Sequence, residues 1–260
     1  MAFTREEDRL LSLELARRAA DAIAPYFRTV LDVENKAEAG HYDPVTEGDK
    51  AAERAIRELL KTERPHDAIF GEEYGLSEGT SGRTWVIDPI DGTRAFVSGI
   101  PTWGTLVGLR DEEKALVGTG AQPFVGDYFS GGEKAFLNNA LISTRRCKSL
   151  SEARISTTDP DLFSKAELDA FESISERAPL RRLGLDWYAY GHLAAGHLDV
   201  VIESGLKTYD ILALIPIIEA AGGSVTNWRG ESVLEGGQVL AIGDKVLLDD
   251  VLALLAPAAL

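Results

Sequence analysis

Thiols are almost absent from this chain. Cys147 is the single cysteine in 260 residues, which excludes an internal disulfide and any thiolate-rich zinc or iron–sulfur site and suits a reducing compartment. Histidine is scarce too: His41, His66, His192 and His197 contain no HExxH pair, and the HxxxxH spacing of the last two is not a ligand pattern. Basic residues fall short of acidic ones, 27 against 42, and the formal net charge of −15 argues against a broad polyanion-binding surface and against nucleic acid as a partner. Long apolar runs are missing as well. The longest, Ile211 to Ile218 and Val251 to Leu260, are too short to span a bilayer, and the opening MAFTREEDRL is acidic where a signal peptide is basic and then apolar. A cytoplasmic protein without a membrane partner is the expectation.

What is present is a balance of 45% hydrophobic and 27% charged residues, enough for a substantial globular core. Thr4 and Glu7 form a T-x-x-E capping box ahead of a long first helix, and Thr46 to Asp49 repeats the device ahead of a second. From Ala68 to Thr119 the pattern changes to short β-type runs broken by glycine and proline. Strands and helices alternate after about residue 135. Trp187 to Ala195 reads as a helix, Tyr209 to Ala221 as another bent by Pro216, and Lys245 to Leu255 as the last. No repeat or flexible linker separates the parts, so residues 1–135 and 136–260 are expected to be two halves packed as one unit of layered helices and sheets.

The strongest chemical signal is TWVIDPIDGTRAF, in which a β-like run delivers Asp88, a proline turn follows, and Asp91 precedes Gly92 and Thr93. Two carboxylates then share one pocket, Gly92 lets backbone approach a ligand, and N–H groups there can meet phosphate oxygens. Glu72 in GEEYG stands at the end of another β-like run, where it either points into a cleft or lies solvated. Asp210 either caps the helix that follows it or binds a ligand, and the two roles are compatible; Asp49, in the turn-and-cap segment DPVTEGD, has the same ambiguity.

DPVTEGD, GEE, DPIDGT and YDILALIPIIEAAGG together resemble, in order and spacing, the inositol monophosphatase-like enzymes, over nearly the whole chain. The resemblance implies a layered αβαβα sandwich of the inositol monophosphatase and fructose-1,6-bisphosphatase type. It also implies two or three Mg²⁺ ions, replaceable by Mn²⁺, held by Glu72, Asp88, the Ile90 carbonyl, Asp91 and Asp210. Thr93 paired with Asp49 would orient the attacking water, Glu72 would support a third ion, and Gly92 and Thr93 would bind the phosphate. Inhibition by Li⁺ and a homodimer follow from the same likeness.

Within that family the strings DPIDGTRAFVSGIPTWGTLVGL and DWYAYGHLAAGHLDVVIESGLKTYD look closest to the histidinol-phosphate phosphatase branch. Asp186 and Glu203 align with positions lining the pocket beyond the phosphate. A carboxylate at Asp186 suits an ammonium better than a polyol, although Asp186 can equally cap the helix beginning near Trp187. The alternatives are an inositol monophosphatase of broad specificity, a phosphatase of 3′-phosphoadenosine nucleotides, and a non-catalytic regulatory binding protein.

Overall fold

Local chemistry sets the first two helices. Thr4 accepts from the Glu7 amide while the Glu7 carboxylate returns to the Thr4 amide, opening α1 (Arg5–Ile23). A computed structural model describes residues 3–29, 34–35 and 44–260. Asp43 of the expected turn and His41 lie outside the described residues. Glu34–Asn35 (β1) and Pro44–Val45 (β2) pair antiparallel. Thr46 and Asp49 then form the second reciprocal cap, opening α2 (Glu47–Glu63).

The β-type runs that follow are β3 (Ala68–Gly71), β4 (Gly75–Ser77) and β5 (Thr84–Asp91). The short α3 (Thr93–Val97) interrupts them. Next come β6 (Gly104–Arg110), β7 (Ala115–Gln122), β8 (Asp127–Gly131), β9 (Phe136–Leu137) and β10 (Ala140–Leu141). They build one sheet in the order β10-β9-β8-β7-β6-β5-β3-β4, antiparallel except where β3 and β5 run parallel.

Five strands form the second sheet: β11 (Arg154–Ser156), β12 (Leu180–Arg182), β13 (Val200–Leu206), β14 (Ser224–Thr226) and β15 (Gly237–Ile242), in the order β12-β11-β13-β15-β14. The helices of this part are α4 (Lys165–Ser175), α5 (Trp187–Ala194), α6 (Thr208–Ile211), α7 (Leu214–Ala220) and α8 (Leu248–Leu255). Helices α1 and α2 cover the outer face of the large sheet, burying Leu15, Ile23, Ile56 and Leu60 against Trp85, Ile87 and Val107. Helices α5 and α7 fill the space between the sheets with Trp187, Leu193, Leu214 and Ile218. Helices α4 and α8 close the far face through Phe171, Val251 and Leu255. This is the αβαβα sandwich.

Three local expectations change. Proline 89 makes no turn; β5 continues through it to Asp91, with the register against β6 shifting between Asp88 and Asp91. A proline lacks the N–H a regular ladder needs, so the irregularity falls where the strand can accept it. Pro216 interrupts the helix upstream of its own position instead of leaving one continuous element. The segment splits into α6 and α7 at Leu212–Ala213, four to three residues before the proline, because a proline at 216 offers the Leu212 carbonyl no N–H. The last helix begins as a 3₁₀ turn at Lys245–Leu247 and becomes α-helical at Leu248.

Candidate active site

The irregular end of β5 decides where the acids go. Asp88 leaves the strand 2% exposed, and Asp91 follows after the register shift. Gly92 turns the chain with φ +79°, a conformation that costs a residue with Cβ about 1 kcal/mol or more, and α3 begins. Asp210 arrives from the other half of the chain, at the third position of α6, and accepts from the Lys207 amide at 2.6 Å. Capping and site membership therefore coexist at Asp210. Oxygens of Asp88, Asp91 and Asp210 all lie within 4.8 Å of one another.

Glu72 follows β3, and its amide donates to the Ile87 carbonyl at 3.2 Å, which sets it beside Asp88. The turn that carries it is held from behind by α2. Glu53, fully buried, accepts from the amides of Glu73 (2.8 Å) and Tyr74 (3.2 Å) and from Arg57 Nε (2.8 Å). Nothing in the sequence pattern singled out Glu53; its partners are 20 and 21 residues away. A Cβ at Gly71 would overlap the Glu53 carboxylate. Gly71→Ala is therefore expected to lower stability by about 1–3 kcal/mol, the usual effect of overpacking, and to raise the cation concentration needed for half-maximal activity. Urea denaturation and a metal titration check both; an unchanged midpoint would mean the clamp yields freely.

Like charges dominate the electrostatics. Burial first, then Glu72, Asp91 and Asp210, hold Asp88 well above the usual carboxylate range. Burial and then Asp186 and Asp210 do the same to Asp91. Asp88 Oδ1 is buried with no hydrogen-bond partner among the described residues. A buried anionic oxygen without a donor, inside a cluster of further anions, is stable only when a cation or a proton supplies the missing charge. The donor set is all oxygen and suits a hard divalent cation. The residues present thus fit the metal expected from the sequence.

Asp49 and Thr93 are connected differently from the pairing drawn from the resemblance. The Thr93 hydroxyl donates to the Ile90 carbonyl at 2.9 Å. Asp49 Oδ2 accepts from the Thr46 hydroxyl (2.7 Å) and amide (2.8 Å), and burial pushes its carboxyl up to about 6. In this structure each side chain serves the local turn that holds it.

Asp186 is at the N-cap of α5, yet its side chain makes no capping hydrogen bond. Asp91 takes that role across the molecule, accepting from the Trp187 amide at 2.7 Å. Asp186, with φ +49°, instead lays its carboxylate against Gly92, where an added Cβ would come within 3.1 Å of it. Burial pushes Asp186 up to about 6, with Arg94 opposing. Glu203 sits deeper on β13, 4% exposed, accepting from the Thr158 amide (2.7 Å), the Thr158 hydroxyl (2.9 Å) and the Thr157 hydroxyl (3.2 Å). Burial outweighs those bonds and pushes it up to about 8. Asp91, Asp186, Glu203, Asp210, Thr158 and Tyr190 surround one pocket of about 140 Å³. Tyr190 escaped the sequence reading, although it stands one helical turn beyond Asp186, a spacing that puts both on one face. His192 packs against Tyr188 and Phe129, away from the cluster.

The chain is 41% identical over 224 residues to the bifunctional phosphatase IMPL2 of Arabidopsis thaliana, a chloroplastic protein; the match covers 85% of this chain and 64% of that one. It is 32% identical over 234 residues to a histidinol-phosphatase of Chlorobaculum parvum, covering 88% and 89%. The fold superposes on an inositol monophosphatase from Zymomonas mobilis with a TM-score of 0.87 at 39% identity, covering 98% of this chain and all of that one. The model of the inositol monophosphatase family matches residues 5–258, so an acidic cluster between two sheets and an unbroken match agree: the chain belongs to the inositol monophosphatase family and is a phosphatase.

Proposed function

We propose that this phosphatase is Mg²⁺-dependent and hydrolyses L-histidinol phosphate to L-histidinol and phosphate. The observation that carries the substrate is Asp186, a carboxylate excluded from capping its own helix and turned into the pocket beside Gly92. With Glu203 across the pocket, it offers acceptors to an ammonium or imidazolium on the leaving alcohol. A relative named for histidinol phosphate supports the same reading.

Glu72, Asp88, the Ile90 carbonyl, Asp91 and Asp210 would hold the metal, two or three ions in all. When bound it neutralises the phosphate and makes water nucleophilic at neutral pH. Gly92 and Thr93 bring backbone to the phosphate, Thr93 would orient the nucleophile together with Asp49 once Asp49 leaves Thr46, and Asp186 and Glu203 receive the alcohol. A cytoplasmic homodimer inhibited by Li⁺ completes the reading.

A second reading, an inositol monophosphatase, is favoured by one observation: Arg94 lies close enough to offset Asp186, which makes the pocket less short of positive charge. Phosphate release from the two esters, in Mg²⁺ and in EDTA, separates them. Asp186→Ala is expected to lower kcat/KM for histidinol phosphate by roughly ten- to a hundredfold, the value of a charge-assisted hydrogen bond. Hydrolysis of glycerol 2-phosphate should change little. Release from inositol phosphate alone would select the second reading.

A further inference from the structure

One hydroxyl in the pocket has nothing to bond. Tyr190 is 2% exposed, and its phenolic oxygen is buried without a hydrogen-bond partner among the described residues. Burying a hydroxyl unpaired costs about 1–3 kcal/mol, a penalty that a bound ligand can relieve. The carboxylates that act most on this hydroxyl are Glu203, Asp91 and Asp210. All three line the same pocket as Tyr190. Each neighbouring carboxylate accepts from another donor: Glu203 from Thr157 and Thr158, Asp91 from the Trp187 amide, Asp210 from the Lys207 amide. The phenol thus shares its pocket with two acids of the cluster and with Glu203.

That position matches a particular part of a substrate. A phosphate held at the cluster would leave its alcohol in the adjoining pocket, which Glu203 and Tyr190 also line. We propose that Tyr190 is a specificity-determining residue whose phenolic oxygen hydrogen-bonds the polar substituent carried on the carbon next to the ester-bearing carbon. An ammonium there donates to the phenolic oxygen; a hydroxyl there can donate or accept. The inference rests on the phosphomonoesterase reading of the site and holds for either alcohol.

The test is Tyr190→Phe, which removes one oxygen and keeps the ring, against two substrate pairs. One is histidinol phosphate with its desamino analogue, 3-(imidazol-4-yl)propyl phosphate. The other is myo-inositol 1-phosphate with the analogue bearing hydrogen in place of the hydroxyl beside the ester carbon. On the pair that the wild type hydrolyses, the variant should lose about three- to tenfold in kcat/KM on the parent, mainly through KM, and less than about twofold on the analogue. Calorimetric affinity for the product alcohol should fall by the same factor, and the melting temperature should not drop. Equal losses on parent and analogue, or no loss on either, would overturn the proposal. Turnover of the inositol ester alone would remove the amino-alcohol reading while leaving Tyr190 tested on that pair. Turnover of neither pair would overturn both.

Discussion

Asp88→Asn is expected to lower kcat by about a thousandfold, some 4 kcal/mol of transition-state stabilisation, while making the chelated protein more stable than wild type above neutral pH. Asp88 is the most enclosed acid of the cluster, with like charges around it and a buried oxygen that has no hydrogen-bond partner among the described residues. Its carboxyl is held above its ordinary range in the folded chain, so the fold retains a proton that the unfolded chain has released. Stability from that source is full below the ordinary carboxylate range and is lost as pH rises through the elevated folded value. Asp49 and Asp186, raised to about 6, and Glu203, raised to about 8, extend the same fall across neutral pH. The asparagine removes the Asp88 share of that slope. Calorimetric melting in EDTA between pH 5 and 8.5 should show a steep decline for wild type and a shallower one for the variant. Added Mg²⁺ should raise the wild-type melting temperature more than that of the variant, because a ligand stabilises in proportion to its preference for the folded state. A variant with near-normal turnover, or one whose stability falls as steeply with pH, would remove Asp88 from the centre of the site.

Thr93→Ala comes second, with an expected loss of about a hundredfold in kcat and a KM within a few-fold of wild type, the range for a group that assists proton movement. The geometry gives this test an edge. The Thr93 hydroxyl donates to the Ile90 carbonyl, one of the proposed ligand atoms, at the point where β5 gives way to α3. If closing that turn is its whole task, the alanine variant loses about 1 kcal/mol of stability and binds metal less well, with both defects recovered by excess Mg²⁺. If the hydroxyl also orients the nucleophile, kcat stays low at saturating metal. Thr93→Ser should restore most of kcat. Asp49→Asn should share the kcat defect only if Asp49 leaves Thr46 and works with Thr93 during turnover.

The features that could be read from the sequence are those whose partners lie a few residues apart. Thr4 with Glu7 and Thr46 with Asp49 are reciprocal caps spanning three residues, and both helices begin where those pairs stand. The spacing in DPIDGT placed two acids near each other for the same reason, because a strand end and a short turn leave them little freedom. Pro89 stays in its strand, and Pro216 breaks its helix four residues upstream. A proline announces a lost hydrogen bond, but the surrounding packing chooses whether the chain turns, bulges or splits a helix upstream.

By itself the sequence determined the acidic, thiol-poor chemistry, the positions of the first two helices, their reciprocal caps and the acids available for a hard cation. The tertiary structure alone decided which of those acids face one another and what holds them. Asp91 caps a helix that starts 96 residues later, Asp186 lies against Gly92, Glu53 clamps the turn of Glu72, and the hydroxyl of Tyr190, in the pocket shared with Asp91, Asp210 and Glu203, is buried without a partner among the described residues. The division has a physical cause. Helix starts and strand ends depend on dihedral preferences and hydrogen bonds within a few residues, whereas burial, charge repulsion and an unmet hydrogen bond exist only after distant segments have packed together.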